Sequence, residues 1–328
     1  MSASENLVNG KLAIRPVQRF GWVPDLPDAR DFLYSAPEAV LASLPTKVDL
    51  RSKMPRVYDQ GHLGSCTANA IGAAFEFDLL TQRQKDFMPS RLFIYYNERA
   101  VEGTIGSDSG AMIRDGIKSV AKIGVCDEMI WPYDVTRFTE KPPRAAYTDA
   151  KKHQATVYRS VMGSLHQMQG CLASGFPFVF GFSVYDSFMS DEVARTGEVP
   201  LPPRGEQLIG GHAVLAVGYD DRIQRFIVRN SWGPKWGVKG YCTMPYGYLT
   251  DPSLARDFWA IYTVEPTEPT RRRRTVRTPV RRTTRASSTR KKTGARKKTG
   301  ARKKTGARRK TAAGKRTAAS KRAAARRR

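Results

Sequence analysis

The sequence has few cysteines and no long apolar segment, and each absence excludes a class of protein. Its 328 residues include four cysteines, and none of them forms a close CxxC pair. This count predicts neither a disulfide scaffold nor a zinc site. No stretch approaches the roughly 18–20 apolar residues that span a membrane, and the N-terminus lacks the apolar core of a secretory signal. We therefore expect an intracellular protein that has no membrane partner.

Acidic residues are missing from the C-terminal part of the chain. Residues 271–328 contain 27 of the 56 lysines and arginines and none of the 30 acidic residues, so residues 1–270 are nearly neutral. This basic part repeats KKTGAR three times from Lys291 to Arg308 and contains no aromatic residue. Blocks of like charge cannot bury enough apolar surface to offset chain entropy. Residues 266–328 are therefore predicted to form a disordered polybasic tail.

The composition of this tail suits a polyanionic partner. Without aromatic side chains it cannot stack on bases, so binding to phosphate backbones would be electrostatic and independent of sequence. We predict that residues 271–328 bind DNA or RNA. Three alternatives stay open: a signal for nuclear localisation, binding to acidic proteins or anionic membranes, and a solvated terminus that aids solubility. The nucleus and a virion are the candidate locations.

Residues 47–265 have the pattern of one globular α+β domain, with helices first and strands second. Apolar residues recur at helical spacing after Cys66, Ser90 is a predicted helix N-cap, and another amphipathic helix follows Gly110. The segments rich in β-branched and aromatic residues, which we predict to be antiparallel strands, are Phe176–Val184, Ala213–Tyr219, Arg225–Arg229 and Gly240–Met244. Two lobes separated by a cleft are expected.

Residues 1–46 are predicted to be an N-terminal extension that is too short to form a separate domain. Trp22, Phe32 and Leu33 are expected to attach it to the globular body, because exposed aromatic and apolar residues at that density are unusual. The sequence leaves open whether this extension covers the cleft.

The segment DQGHLGSCTANA, residues 59–70, places Cys66 at the start of a helix. The positive end of the helix dipole favours the thiolate, and Gln60 precedes it on a loop from which its amide could reach an oxyanion. A thiol nucleophile also needs a base and a group that orients the base. His212 precedes one apolar strand and Asn230 ends another, and these residues fit the two roles. A thiolate–imidazolium pair would lower the pKa of the cysteine and raise that of the histidine.

Each of these residues has an ordinary structural interpretation when taken alone. A cysteine before an apolar helix is most often a buried thiol, and a histidine before a strand is most often a core residue. The three segments DQGHLGSC, GGHAVLAVGY and RNSWGPKWGVKGY, however, occur in one chain. Together they resemble the active-site blocks of the papain family of cysteine peptidases, in the order of that family. The resemblance runs from about Lys47 to Val264.

The resemblance implies a papain-like two-lobed fold, with a helical N-terminal lobe and an antiparallel, β-barrel-like C-terminal lobe. It implies a cysteine endopeptidase that needs no metal or organic cofactor and acts on polypeptides, with a monomer expected. Site residues carried over from the family are the triad Cys66, His212 and Asn230, the oxyanion-hole residue Gln60, Trp232 as a shield of the histidine–asparagine hydrogen bond, and Ser109 and Gly110 as a backbone strip for the substrate.

Two positions depart from the family pattern. Leu63 stands where the family commonly has a disulfide-forming cysteine, and Thr67 replaces an aromatic residue after the nucleophile. The extension resembles that of bacterial and large-DNA-virus members that lack a signal sequence. The alternative function is a catalytically inactive papain-like module that binds peptides in the cleft and nucleic acid through the tail. It predicts a Cys66 of low reactivity.

Overall fold

The structure is a computed structural model that describes residues 7–8, 11–12 and 20–264. The predictions for the polybasic tail and for most of the first 19 residues therefore lie outside the described residues. The helices that it contains are α1 (Glu38–Leu41), α2 (Cys66–Thr81), α3 (Arg91–Glu102), α4 (Ile113–Lys122), α5 (Arg144–Ala150), α6 (Leu165–Ala173), α7 (Asp191–Thr196) and α8 (Tyr246–Thr250), with 3-10 turns at Arg51–Lys53, Val135–Arg137 and Asp186–Met189. Within these ranges no helix has the length and apolar character needed to cross a membrane.

The strands form one large sheet and a separate short hairpin. They are β1 (Leu7–Val8), β2 (Lys11–Leu12), β3 (Leu33–Tyr34), β4 (Lys47–Asp49), β5 (Ala155–Val161), β6 (Phe178–Tyr185), β7 (Leu208–Asp220), β8 (Arg225–Arg229), β9 (Tyr241–Pro245) and β10 (Ala255–Val264). The large sheet has the order β3-β5-β10-β6-β7-β8-β9, and β4 pairs with β7. All of its pairs are antiparallel except β3 with β5. Long helices in the first half and strands in the second confirm the α+β prediction.

Helix α2 is buried on every side. All residues from Cys66 to Leu79 are buried, and the helix packs against β7 of the sheet. An apolar stripe on one face alone is typical of a surface helix, whereas a helix without a polar face belongs to the interior. The predicted helix beginning at Cys66 is confirmed, and its burial surrounds the thiol with protein.

The other predicted helices and strands agree with the structure to within a few residues, but several short elements and two long strands were not predicted. The Ser90 hydroxyl accepts a hydrogen bond from the amide of Phe93, at 3.2 Å, and so caps α3 as predicted. Strand β7 begins at Leu208, several residues before the predicted start. Strands β5 and β10 were not predicted, because charged and polar residues interrupt their apolar pattern.

The prediction for the N-terminal extension is correct at one residue and wrong at two. Trp22 is buried, but Phe32 is 68% exposed and Leu33 is 62% exposed. Phe32 precedes β3, and within this edge strand Leu33 faces solvent while the next side chain points inward. Tyr34 supplies the buried contact instead, and the ring of Phe32 lies against the guanidinium of Arg159.

Candidate active site

Cys66 is the first residue of α2 and has no exposed surface. The amide of Ala213 on β7 donates a hydrogen bond to its Sγ, at 3.4 Å. Ala213 follows His212 in the chain, so the start of α2 and the middle of β7 meet at this point. The structure therefore brings together two of the predicted residues, which lie 146 positions apart.

His212 and Asn230 meet because β7 pairs with β8. Leu215 of β7 lies opposite Arg229, the last residue of β8, so Asn230 follows the strand beside the histidine. Nε2 of His212 lies 2.8 Å from Oδ1 of Asn230. Nδ1 of His212 has no hydrogen-bond partner. The asparagine thus fixes one ring nitrogen and leaves the other available to a reacting group.

Aromatic rings surround this hydrogen bond. The ring centroid of Trp232 lies 5.0 Å from that of His212, with an angle of 34° between the planes. Phe188 and Trp236 pack against Trp232, with centroids at 5.4 and 5.2 Å. The predicted position of Trp232 beside the histidine is therefore present in the fold.

Gln60 is held by the segment that follows Asn230. Its backbone amide donates to the carbonyl of Ser231, at 2.8 Å, and its Oε1 accepts from the Ser231 hydroxyl, at 2.6 Å. Nε2 donates to the carbonyl of Leu63 in the turn before Cys66, at 3.0 Å. An amide nitrogen carries two hydrogens, so the second N–H of Nε2 can serve a further acceptor.

The electrostatics of the cysteine and histidine differ from the predicted ion pair. Burial raises the pKa of the Cys66 thiol to about 12, although amides of Ala213 and Gly21 oppose the shift. Burial also lowers the pKa of His212 to about 4, although the Asn230 hydrogen bond opposes the shift. Loss of water disfavours both charged forms, so in this structure the two groups are neutral at pH 7.

The chain's own N-terminal extension covers the cysteine and the histidine. We use the name strap for residues 20–31. The amide of Trp22 donates to the carbonyl of Gly211, at 3.0 Å. Ala111 donates to the carbonyl of Gly21, at 2.8 Å, and accepts from the amide of Val23, at 3.0 Å. The strap is therefore bound like a short strand across the site.

The strap fits closely at positions that have no side chain. A Cβ atom on Gly21 would lie 1.7 Å from the carbonyl oxygen of Gly64, next to the nucleophile turn. The indole of Trp22 fills the space over Gly181 of β6, where a Cβ would lie 2.0 Å from the ring. Phe20 places its ring 6.2 Å from that of His212. The missing Cβ atoms allow this approach.

The predicted substrate strip, Ser109 and Gly110, lies beside the strap. The backbone hydrogen bonds to the strap, however, are made by the residue that follows it. Ala111, which the sequence did not single out, makes both backbone hydrogen bonds to the strap. Gly110 has φ +74°, and a Cβ atom on it would lie 2.2 Å from the carbonyl oxygen of Gly21. The Ser109 hydroxyl donates to the carbonyl of Gly110. The substrate-binding role of Ser109 and Gly110 stays a prediction.

Comparison with known proteins identifies the family. The family model described as papain family cysteine protease matches residues 44–256. This chain belongs to the papain family of cysteine proteases. An uncharacterised peptidase C1-like protein of Acanthamoeba polyphaga mimivirus is 44% identical over 272 residues, covering 75% of this chain and 88% of the relative. Cathepsin B-like CP2 of Giardia intestinalis is 30% identical over 229 residues, covering 66% and 74%.

Solved papain-family structures agree with the fold. Xylellain, a cysteine protease from Xylella fastidiosa, is 48% identical, with a TM-score of 0.72, over 76% of this chain and 97% of the solved chain. A procathepsin B of Trypanosoma congolense, at 17% identity and a TM-score of 0.61, shares the fold over 76% of this chain. The predicted family and its viral and bacterial branch are confirmed, and the protein is a cysteine peptidase.

All four cysteines of this papain-family chain are free and buried. Among the residues that the structure describes, no group of three or more His, Cys, Asp or Glu side chains could hold a metal ion. The strap contacts and Ala111 had no signal in the sequence, because backbone hydrogen bonds do not depend on side-chain type. Ser231 had a weak one, since it lies within the RNSWG block.

Proposed function

We propose that this papain-family protein is an endopeptidase in which Cys66, His212 and Asn230 form the catalytic triad. The observation that carries the proposal is the hydrogen bond of 2.8 Å between His212 and Asn230. It leaves Nδ1 of the histidine without a partner beside the residue whose amide contacts Sγ. A nucleophile, a base and a group that orients the base are the parts that acyl transfer requires.

The reaction then proceeds in two steps once the strap has left the cleft. Water that enters the site restores the charged forms, and the Cys66 thiolate attacks the scissile carbonyl carbon. The second N–H of Gln60 Nε2 and the Cys66 amide stabilise the oxyanion. His212 gives its proton to the leaving amine as the C–N bond breaks, which leaves a thioester. His212 then takes a proton from water, the hydroxyl attacks the thioester, and the thiolate departs.

Replacement of the nucleophile tests this assignment. Cys66→Ala should reduce cleavage of a denatured protein substrate by more than about 10³-fold, because no other group in the proposed mechanism attacks the carbonyl. Cys126→Ala, which removes another buried free thiol, is the control and should retain activity. Cleavage by Cys66→Ala at the wild-type rate would remove Cys66 from the mechanism.

The competing function is an inactive module that binds peptides in the same cleft. The observation in its favour is the state of the site, where a peptide segment is bound and the buried thiol has a pKa of about 12. The rate of Cys66 alkylation by iodoacetamide across pH separates the two when it is measured on Gly21→Val, in which the added side chain would overlap the Gly64 carbonyl and exclude the strap. Thiolate reactivity that persists well below pH 8 supports the peptidase, whereas an inflection near 8.5 supports the binding module.

We also propose that residues 271–328 bind nucleic acid without sequence preference. Support comes from composition, since this segment holds 27 basic and no acidic side chains. A nucleus or a virion, where nucleic acid is concentrated, is the proposed location. DNA binding by the full chain should exceed that of a chain ending at Val264, and equal binding would remove this proposal.

A further inference from the structure

The Asp108 side chain joins the turn before the nucleophile to the strip beside the cleft. Its Oδ1 and Oδ2 accept from the amide of Gly64, at 3.0 and 3.2 Å. The Tyr95 hydroxyl donates to the same carboxylate and accepts from the amide of Gly110, at 3.2 Å. One carboxylate and one phenol thus connect two backbone segments that are 46 residues apart.

Buried side chains of α3 hold this connection in place. Tyr95 lies on α3 with no exposed surface, and burial together with the neighbouring carboxylate raises the pKa of its phenol, which therefore remains a donor. The guanidinium of Arg99 lies 4.0 Å from the Tyr95 ring centroid. It donates to the carbonyls of Ile105 and Ser107, at 2.9 Å each, and so fixes the loop that carries Asp108.

We propose that Asp108, held by Tyr95, is a positioning residue for peptide hydrolysis. The turn at Gly64 leads directly to the Cys66 amide, and Gly110 leads directly to Ala111. Leu63 offers no thiol for a covalent link here, and all four cysteines are free. The carboxylate therefore sets the distance between the attacking group and the strip. A displacement near 1 Å can cost about 10²-fold in rate.

The test separates positioning from folding by kinetics on a peptide substrate, with enzyme concentration set by titration of Cys66. Asp108→Ala should reduce kcat by about 10–100-fold with KM changed by less than about threefold. Asp108→Asn retains an acceptor for the Gly64 amide and should recover most of the loss. Asp127→Asn, outside this cluster, is the control.

Tyr95→Phe should lower kcat in the same direction and by a smaller factor, and it keeps the proposal testable if Asp108→Ala does not fold. Unchanged kcat in folded Asp108→Ala would overturn the proposal. So would a loss in Asp108→Asn equal to that in Asp108→Ala, because the acceptor would then not matter.

A second inference rests on different contacts, those that attach the strap to β10. Nε1 of Trp22 and the amide of Asp25 donate to Oδ2 of Asp257, at 3.0 and 2.8 Å. In return, Nε1 of Trp259 donates to Oδ2 of Asp25, at 2.9 Å. Two carboxyl groups, one from the strap and one from the sheet, therefore hold the strap over the cleft.

Both carboxyl groups lie in a poorly hydrated site, and burial raises the pKa of each. Burial, and then the charge of Asp257, raises the pKa of Asp25 to about 7. Burial also raises the pKa of Asp257. The charged groups that face the pair are Arg114 of α4 and Arg256 of β10, which favour ionisation, and Glu102 of α3, which opposes it.

We infer that ionisation of Asp25 loosens residues 20–25 of the strap, so that the cleft opens as pH rises. A carboxyl group whose pKa is raised on docking stabilises the docked state fully at low pH, and this stabilisation is lost as pH rises through the docked value. The salt bridge of Arg114 with Asp31, at 2.7 Å, attaches the other end of the strap. Only the consequence for hydrolysis rests on the proposed peptidase function.

Amide hydrogen exchange tests release without any catalysis. In the Cys66→Ala chain, after correction for intrinsic rates, the protection of residues 20–25 should fall by about tenfold or more between pH 5.5 and 8.5. Asp25→Asn cannot ionise and should keep its protection at pH 8.5. Asp28→Asn, a strap carboxylate outside the pair, should show the wild-type pH dependence.

Equal protection at both pH values in the chain with Asp25 intact would overturn this inference. The same pH dependence in Asp25→Asn would also overturn it. If Asp25→Asn does not fold, Asp257→Asn takes its place: without the charge of Asp257 the pKa of Asp25 falls, and the loss of protection should move to lower pH. Because the readout needs no hydrolysis, its failure leaves the triad proposal intact, and inactivity of the enzyme leaves the strap result intact.

Discussion

Asp78 shows how a single buried carboxyl group makes stability depend on pH. It lies near the end of α2, is 3% exposed, and its Oδ2 has no hydrogen-bond partner. Burial raises its pKa from the ordinary 3.8 to about 8. Its neutral form is therefore favoured on folding, and the stability that this form supports is present below about pH 4 and is lost as pH rises through 8.

We predict that Asp78→Asn raises the melting temperature at pH 8.5 by about 2–6 °C, and by less at pH 5, because the amide cannot ionise. Thermal unfolding followed by circular dichroism at the two pH values measures this. Glu140→Gln, on an exposed side chain, is the control and should change stability by less than about 0.5 kcal/mol at either pH. An equal effect of Asp78→Asn at both pH values would contradict the prediction.

The strap is an element whose fit depends on the absence of side chains. A side chain on Gly21 would overlap the carbonyl oxygen of Gly64, and backbone of the nucleophile turn cannot yield as a flexible side chain can. Binding of the strap therefore requires glycine at position 21. Folding of the rest of the domain does not require it.

We predict that Gly21→Val displaces the strap and increases the rate of Cys66 alkylation at pH 6 by at least about tenfold. The reason is that water reaches the thiol and lowers its pKa. Alkylation by iodoacetamide, quantified by mass spectrometry, provides the measurement. Gly106→Ala is a matched control, because a Cβ there meets nothing within 4 Å. Alkylation of Gly21→Val at the wild-type rate would show that the strap does not limit access.

At the scale of the whole molecule, charge divides the chain into two parts. Residues 1–270 carry 29 basic and 30 acidic side chains, while residues 271–328 carry 27 basic ones alone. Binding of the proposed tail to nucleic acid should therefore depend on counterion release, and the body should contribute little.

If the tail contacts about 6–10 phosphates, we predict that affinity for duplex DNA falls about 10³–10⁵-fold between 50 and 200 mM salt. Fluorescence anisotropy over this salt range provides the slope, and duplexes of unrelated sequence should give the same one. The chain ending at Val264 serves as the control. Affinity that is independent of salt would contradict an electrostatic mode.

Many features of the fold and of the site could be predicted from the sequence, because they depend on residues that lie close together in the chain. The helix starting at Cys66, the cap at Ser90 and strand β8 follow from spacing and residue type. Strands β5 and β10 could not be predicted, since charged and polar residues interrupt their apolar pattern and their pairing joins distant parts of the chain. The exposure of Phe32 was likewise decided by its neighbouring edge strand.

The sequence by itself determined which chemistry the chain carries, since a thiol, an imidazole and two amides are properties of residue types in three recognisable blocks. Only the tertiary structure decided whether these groups are charged and whether they are accessible. Asp25 and Asp257 are 232 positions apart, and their contacts exist only when the strap lies over the cleft. Removal of water there reverses the expected pKa shifts of Cys66 and His212. Desolvation depends on what the whole fold packs around a group, and no local pattern of residues contains that information.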